Sequence, residues 1–283
     1  MDPGLRLLLR VVESSLGFEY EAGDVTQVTW PHTTGWRTLP SLVTAHITGY
    51  AAVVHFKDRA DVPVADGDTI CTPPGVYHKS DMVTREPGQS RWSHTLFRVL
   101  NGVDVFALVS PPPRLTGRPA QAIGDINEEL AGLNRLADPG LHHAFRHKAL
   151  GMQLVTIVAE ASTVPPHSLE LLQAAQRLAP VLSAINADLT GELDRQTLAR
   201  MANLSASRFH ALFVEALGAA PGEYVRRVRI RKAQQLLIGT DLTVEEVGRQ
   251  VGHADPFHFS RIFRKRCGVS PRKYREQARL GAM

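Results

Sequence analysis

Cysteine is almost missing from this 283-residue chain. Only Cys71 and Cys267 occur, far apart, which excludes a disulfide framework and a four-cysteine zinc site. A reducing, cytoplasmic setting is expected from that scarcity. Long apolar runs are missing too, and none approaches the roughly 18 residues a membrane span needs. The first residues, MDPGLRLLLRVVESS, break their apolar positions with Asp2, Arg6, Arg10 and Glu13, unlike a secretory signal. Catalytic signatures are also lacking. There is no Gly-x-Ser-x-Gly elbow, no phosphate-binding glycine loop and no His-Glu-x-x-His. On these grounds no enzyme activity and no cofactor is expected.

Charge is present but unevenly spread. Residues 1–175 hold 14 Lys+Arg against 18 Asp+Glu, a net of −4, whereas residues 176–283 hold 18 against 10, a net of +8. Such asymmetry suggests a polyanion partner for the second half alone, the plainer alternative being a solvated basic surface. The length suits about two domains.

The texture of the chain changes along its length. Residues 41–110 read as strands: SLVTAHITGYAAVVHF is rich in β-branched residues, and Asp66-Gly67-Asp68 and Pro73-Pro74-Gly75 mark turns. The Pro-rich VSPPPRLTGRP (109–119) ends this region. Helical spacing follows over 125–136 and 140–162, with Leu141, Phe145, Leu150, Leu154 and Ile157 on one broad face, and again over 168–188. A short linker is expected near residues 162–168.

Residues 197–213 and 243–263 repeat one pattern. In the first copy a short helix over 197–202 turns Leu198, Met201 and Ala202 inward, Asn203-Leu204-Ser205 makes a turn, and Ser205 caps a second helix. That helix buries Phe209, Leu212 and Phe213 and leaves Ala206, Ser207, His210 and Ala211 outside. In the second copy Thr243 and Glu246 form a capping box, and Val244, Val247 and Val251 point inward. Gly252 permits the turn, Asp255 is the N-cap and Pro256 sits at the first helical position. Phe259, Ile262 and Phe263 repeat the inward spacing, leaving Pro256, Phe257, Ser260 and Arg261 outside. Two capped helix-turn-helix units in a basic segment, joined by a helix over 223–237, can set two reading helices into DNA major grooves. There Arg261 can fork onto guanine, Ser260 is adaptable, and Phe257 can meet a thymine methyl, with Arg264 nearer the backbone.

These residues resemble the AraC/XylS family of transcription regulators over about 178–276. The most specific stretch is HADPFHFSRIFRKRCGVSPRKYR (253–275), ending in Gly268, Ser270, Pro271, Tyr274 and Arg275. The first unit is similar as far as Pro221 and Tyr224. The resemblance implies base reading by Ser207, His210 and Ala211 in one unit, and by Pro256, Phe257, Ser260 and Arg261 in the other. This chain departs from the family in having Pro256 and Phe257 where polar residues are usual, and Gly252-His253 where Gly-Phe is usual. GDTICTPPGVYH (67–78) and RWSHTLF (91–97) resemble the family's cupin-like sensor domain. That likeness implies a small-molecule effector in the mouth of a β-barrel, with Arg37, His78, Trp92 and His94 as its contacts; a plain core role is the alternative for Trp92.

Histidine invites a metal reading. His46, His55, His78 and His94 fall in the β region, but the tight His-x-His plus Glu grouping of metal cupins is lacking, and no metal is expected. His143 and His147, at i and i+4 beside His142, read as an exposed helix face.

The expected architecture is therefore α+β in two domains. Residues 1–165 form a cupin-like β-barrel with trailing helices, for sensing and dimerisation. Residues 176–283 form an all-helical domain with two helix-turn-helix units. The expected partners are double-stranded DNA, a small-molecule effector and a second copy of the chain through helices at 125–160, with no membrane. The rival readings are a cupin-type metal enzyme fused to a DNA-binding domain, a ligand-independent regulator, and an architectural DNA binder.

Overall fold

A computed structural model describes residues 3–39, 41–100, 102–136 and 140–279. The chain divides into two compact units. One comprises Met1–Val99 with Asp104–Ser168, the other Leu100–Val103 with Leu169–Met283.

The first unit opens with helix α1 (Pro3–Ser15) and continues through strands β1 (Gly17–Val28), β2 (Arg37–Thr38), β3 (Leu42–Thr48), β4 (Ala52–Phe56) and β5 (Val62–Val64). Strands β6 (Thr69–Thr72), β7 (Tyr77–Met82), β8 (Gly88–Val99), β9 (Val103–Asp104) and β10 (Arg114–Leu115) follow. One antiparallel sheet runs β1-β8-β3-β6-β10, with β9 also on β8; the other runs β2-β7-β4-β5.

The expected barrel does not close. Among the described residues no strand of one sheet pairs with a strand of the other. The turn through Gly67, at φ +84, carries the chain from β5 in one sheet to β6 in the other. The layers join through side chains instead: Val28, Ile47 and Ile70 of the first sheet share a core with Val54, Phe56, Val64 and Met82 of the second.

Helix α2 (Gly117–Asn134) covers the opposite face of the six-stranded sheet. Its fully buried Asn127 donates to Thr44 Oγ1 and Arg91 O, both at 3.1 Å, and accepts from Ser93 Oγ at 2.7 Å. Arg91 returns to α2 through Asp125 at 2.8 Å and Glu128 at 3.3 Å. A buried amide so satisfied fixes one register between helix and sheet.

Helix α3 (Leu141–Glu160) buries Leu150, Leu154 and Val158, but Leu141 is 73% and Phe145 67% exposed. The single broad face expected from spacing therefore begins only at Leu150. His147, expected on an exposed face, is half-buried against Phe18 and Tyr20.

Apart from its Leu100–Val103 segment, the second unit is built of helices: α4 (Ser168–Ala187), α5 (Arg195–Met201), α6 (Ala206–Leu217), α7 (Pro221–Gly239), α8 (Val244–Gln250), α9 (Pro256–Cys267) and α10 (Pro271–Arg279). The residues Ile230, Ala233 and Leu237 of α7 share one core with Val247 of α8, Val251 just after it, and Phe259 and Phe263 of α9. None of the helices among the described residues is long and apolar enough to cross a membrane.

Candidate nucleic-acid interface

The first tandem unit is α5, a turn and α6. Asp194 caps α5, accepting from the amides of Gln196 at 2.7 Å and Thr197 at 2.9 Å, and those bonds hold its carboxyl below the usual range. Leu198 and Ala199 are buried, while Met201, expected inward, is 45% exposed because it falls on the far side of this two-turn helix. The turn reverses at Asn203, at φ +53, a conformation that Asn tolerates better than most residues. Ser205 caps α6 through Arg208 N, and Phe209 and Phe213 are fully buried. Ser207 and Ala211 are exposed and His210 half-buried on the outer side of α6. Arg208, exposed in the first turn of the same helix, was not singled out by the spacing.

The second unit is α8, a turn and α9. Thr243 and Glu246 form the full capping box, with Glu246 N to Thr243 Oγ1 at 3.2 Å and Thr243 N to Glu246 Oε2 at 2.7 Å. Asp255 caps α9 by accepting from Phe257 N at 2.8 Å, and Pro256 occupies the first turn. Such caps contribute about 1 kcal/mol each. Phe259 and Phe263 are fully buried and Ile262 is partly so. On the outer side Phe257 is 87% exposed, Arg261 and Arg264 are exposed, and Pro256 and Ser260 are half-buried. An open hollow of about 590 Å³ is lined by Ser260, Arg261, Arg264, Lys265, Gly268 and Ser270. Its cations suit a polyanion backbone.

A clasp that the sequence pattern did not disclose joins the two units. Arg229 of α7 donates to Leu189 O at 3.0 Å, holding the loop ahead of α5. Gly252, in the α8–α9 turn at φ +77, lies against the same place: a Cβ there would stand 2.3 Å from Leu189 O and 2.9 Å from Arg229 Cζ. Burial depresses the Arg229 pKa, so its carbonyl partners offset a desolvation cost. Arg266, in the last turn of α9, pairs with Glu223 in the first turn of α7 at 3.2 Å.

In the sheet unit the four residues expected to meet an effector come together. Arg37 and His78 are directly opposed across β2 and β7, and Phe56 opposes His78 from β4, so all three share the face that holds Phe56 in the inter-sheet core. Trp92 and His94 lie on β8 opposite Ala45 and Val43 of β3. Two residues further on, Ile47 of β3 is in the same inter-sheet core, which puts both side chains on the inner face. Their rings are 5.0 Å apart, and the indole N–H donates to Thr26 Oγ1 at 3.0 Å. Burial, then Arg37, then His78 push the His94 imidazole down to about 4. His78, bonded through Nδ1 to Val76 O at 2.9 Å, is also depressed, chiefly by burial.

No group of three or more His, Cys, Asp or Glu gathers for a metal among the described residues. Cys71 is fully buried, which raises its thiol to about 12, and Cys267 is partly buried.

Residues 198–277 match a family model described as a helix-turn-helix domain. The arabinose operon regulatory protein of Escherichia coli is 30% identical over 225 residues, 74% of this chain and 72% of the relative. The MmsAB operon regulatory protein of Pseudomonas aeruginosa is 28% identical over 222 residues, 77% of this chain and 68% of the relative. Among solved structures, ToxT from Vibrio cholerae shares the fold with a TM-score of 0.52 and 11% identity, over 94% of this chain and 98% of that one.

Proposed function

Since the chain belongs to the AraC/XylS family of transcription regulators, we propose that its DNA binding is governed by a small-molecule effector held between the two sheets of the first unit. The DNA-binding role itself follows from the paired helix-turn-helix units and the relatives. Arg37, His78, Trp92 and His94 are the effector contacts. The observation that carries this reading is their convergence from both sheets onto one inner region, in strands separated by as many as 57 positions of sequence between Arg37 and His94.

Base reading falls to Ser207, His210 and Ala211 of α6 and to Pro256, Phe257, Ser260 and Arg261 of α9, with Arg264 on the phosphates. Two chains pair through the outer face of α3, where Leu141 and Phe145 stand exposed. Phe145→Glu is expected to turn a dimer into a monomer in analytical ultracentrifugation without lowering Tm. An unchanged sedimentation coefficient would move the interface elsewhere.

The effector reading is tested by a thermal-shift screen of small metabolites on the full chain. A ligand that binds the native state raises Tm. The same ligand should change affinity for DNA, since an effector acts through its differential affinity for two states. Trp92→Ala should abolish both effects. A screen hit that keeps its effect in Trp92→Ala binds at some other place.

A further inference from the structure

Among the described residues no carboxylate answers Arg37: Asp24, which opposes Trp92 from β1, is engaged by Arg135. Arg37 Nε is buried and has no hydrogen-bond partner, and no ion pair to Arg37 occurs among the described residues. Burial alone accounts for its depressed pKa, with no carboxylate opposing the shift. The titratable groups beside it are imidazoles, His78 across the β2–β7 pair and His94 on β8 of the other sheet, and burial lowers the pKa of both, that of His94 to about 4. Thr72 of β6 opposes Val43, which in turn opposes His94, so Thr72 lies in the same cross-strand row on the same inner face. It is fully buried and its hydroxyl has no partner. A buried guanidinium Nε and a buried hydroxyl without partners are costly unless something supplies acceptors.

We propose that this region is a carboxylate subsite, and that the effector is a small organic monocarboxylic acid bound with its carboxylate on Arg37 and its carbon skeleton against Trp92. The inference rests on the effector reading above and narrows it to one ligand class. A guanidinium presents paired N–H donors that match the two oxygens of a carboxylate. Neutral His78 can accept through Nε2, because its Nδ1–H is committed to Val76 O, so it tolerates a hydroxyl near the acid group. One fixed positive charge matches a monoanion. A phosphate dianion would leave its second charge against two imidazoles that resist protonation in this setting. The indole and imidazole rings 5.0 Å apart supply an apolar wall for the remainder of the ligand.

Titration calorimetry on the full chain tests this with matched probes: acetate through octanoate, and benzoate, each beside the amide of the same skeleton, with monosaccharides and inorganic phosphate as further arms. At least one acid is expected to bind about tenfold or more tightly than its amide. Arg37→Gln should bring that acid down to the level of its amide while leaving the amide unchanged. Trp92→Ala should weaken acid and amide alike. Preference for a neutral compound or for phosphate, lost in Trp92→Ala, would overturn the acid class and keep the effector site. Binding that survives both substitutions would overturn the site as well. Absence of acid-over-amide preference across the whole panel overturns the proposal, and circular dichroism of Arg37→Gln confirms that the variant is folded.

Discussion

Two side chains in this protein stand in surroundings that run against their chemistry, and each makes a measurable demand. His94 lies between sheets with Arg37 and His78 as its charged and titratable neighbours, and its pKa is about 4 in the fold against roughly 6.5 in an unfolded chain. Between those values the unfolded chain binds a proton that the folded one refuses. Stability is therefore full above about 6.5 and falls as pH drops toward 4, by an amount on the order of 3 kcal/mol for this residue. Chemical denaturation of wild type and His94→Gln from pH 7 to pH 4.5 should show a shallower loss in the variant; parallel curves would place the imidazole in water. Phe257 is the converse case, an aromatic ring 87% exposed on α9. It adds no core packing, so Phe257→Ala should leave Tm unchanged. If the ring meets a thymine methyl, the variant should lose about 1–3 kcal/mol of specific over nonspecific binding. Replacing the contacted dT by deoxyuridine in a selected operator should reproduce that loss in wild type and add nothing in the variant. Equal loss on every sequence would make Phe257 a backbone contact.

Elements with strong local signals were legible in the sequence, and elements fixed by distant partners were not. The capping box at Thr243, the caps at Ser205 and Asp255 and the spacing of Phe259 and Phe263 lie within one or two helical turns, and they specify α6, α8 and α9 directly. Strand β1 escaped notice because GFEYEAGDVTQV mixes acids and glycines; its pairing with β8, about 70 positions away, makes it a strand. The apolar spacing of α3 overstated its buried face, since Leu141 and Phe145 stand exposed. Asn127 reads on paper as a polar surface residue, and only the sheet beneath shows it as a buried anchor. Barrel closure was likewise a nonlocal matter, decided by which strands exchange hydrogen bonds. The turn glycines permit a controlled comparison at this scale. Gly252 and Gly268 have nearly the same φ, +77 and +78, but a Cβ at Gly268 meets nothing within 4 Å, whereas at Gly252 it meets Leu189 O at 2.3 Å. Gly268→Ala should cost only the backbone strain, about 1–2 kcal/mol. Gly252→Ala should cost more, and should also weaken binding to a two-groove operator, because it pushes on the clasp at Arg229. Equal destabilisation of the two variants, with equal DNA affinity, would show that the clasp does not set the spacing of α6 and α9.

Across the whole molecule, charge and chemistry are divided between the two units. The Arg37 cluster lies in the net-acidic first part of the chain, and the +8 of residues 176–283 accompanies α6 and α9. A basic unit on DNA releases condensed counterions, so affinity should fall linearly in log–log form with salt, with a slope near −0.9 for each phosphate neutralised. For about six to ten contacts, the full chain should lose about 10³-fold or more between ~50 and ~200 mM salt. Arg261 and Arg264 border the same hollow on α9, yet the slope tells them apart. Arg264→Ala should weaken specific and nonspecific DNA alike and bring the slope about 1 unit nearer zero, the mark of a lost phosphate contact. Arg261→Ala should cost about 1–3 kcal/mol at one or two base pairs, relax specificity there and leave the nonspecific slope unchanged. Electrophoretic mobility shifts over a salt series, on a selected operator and on scrambled DNA, separate these outcomes. Should both variants lose affinity uniformly with the same change of slope, Arg261 lies on the backbone, and α9 enters the groove rotated from the orientation its outer face implies.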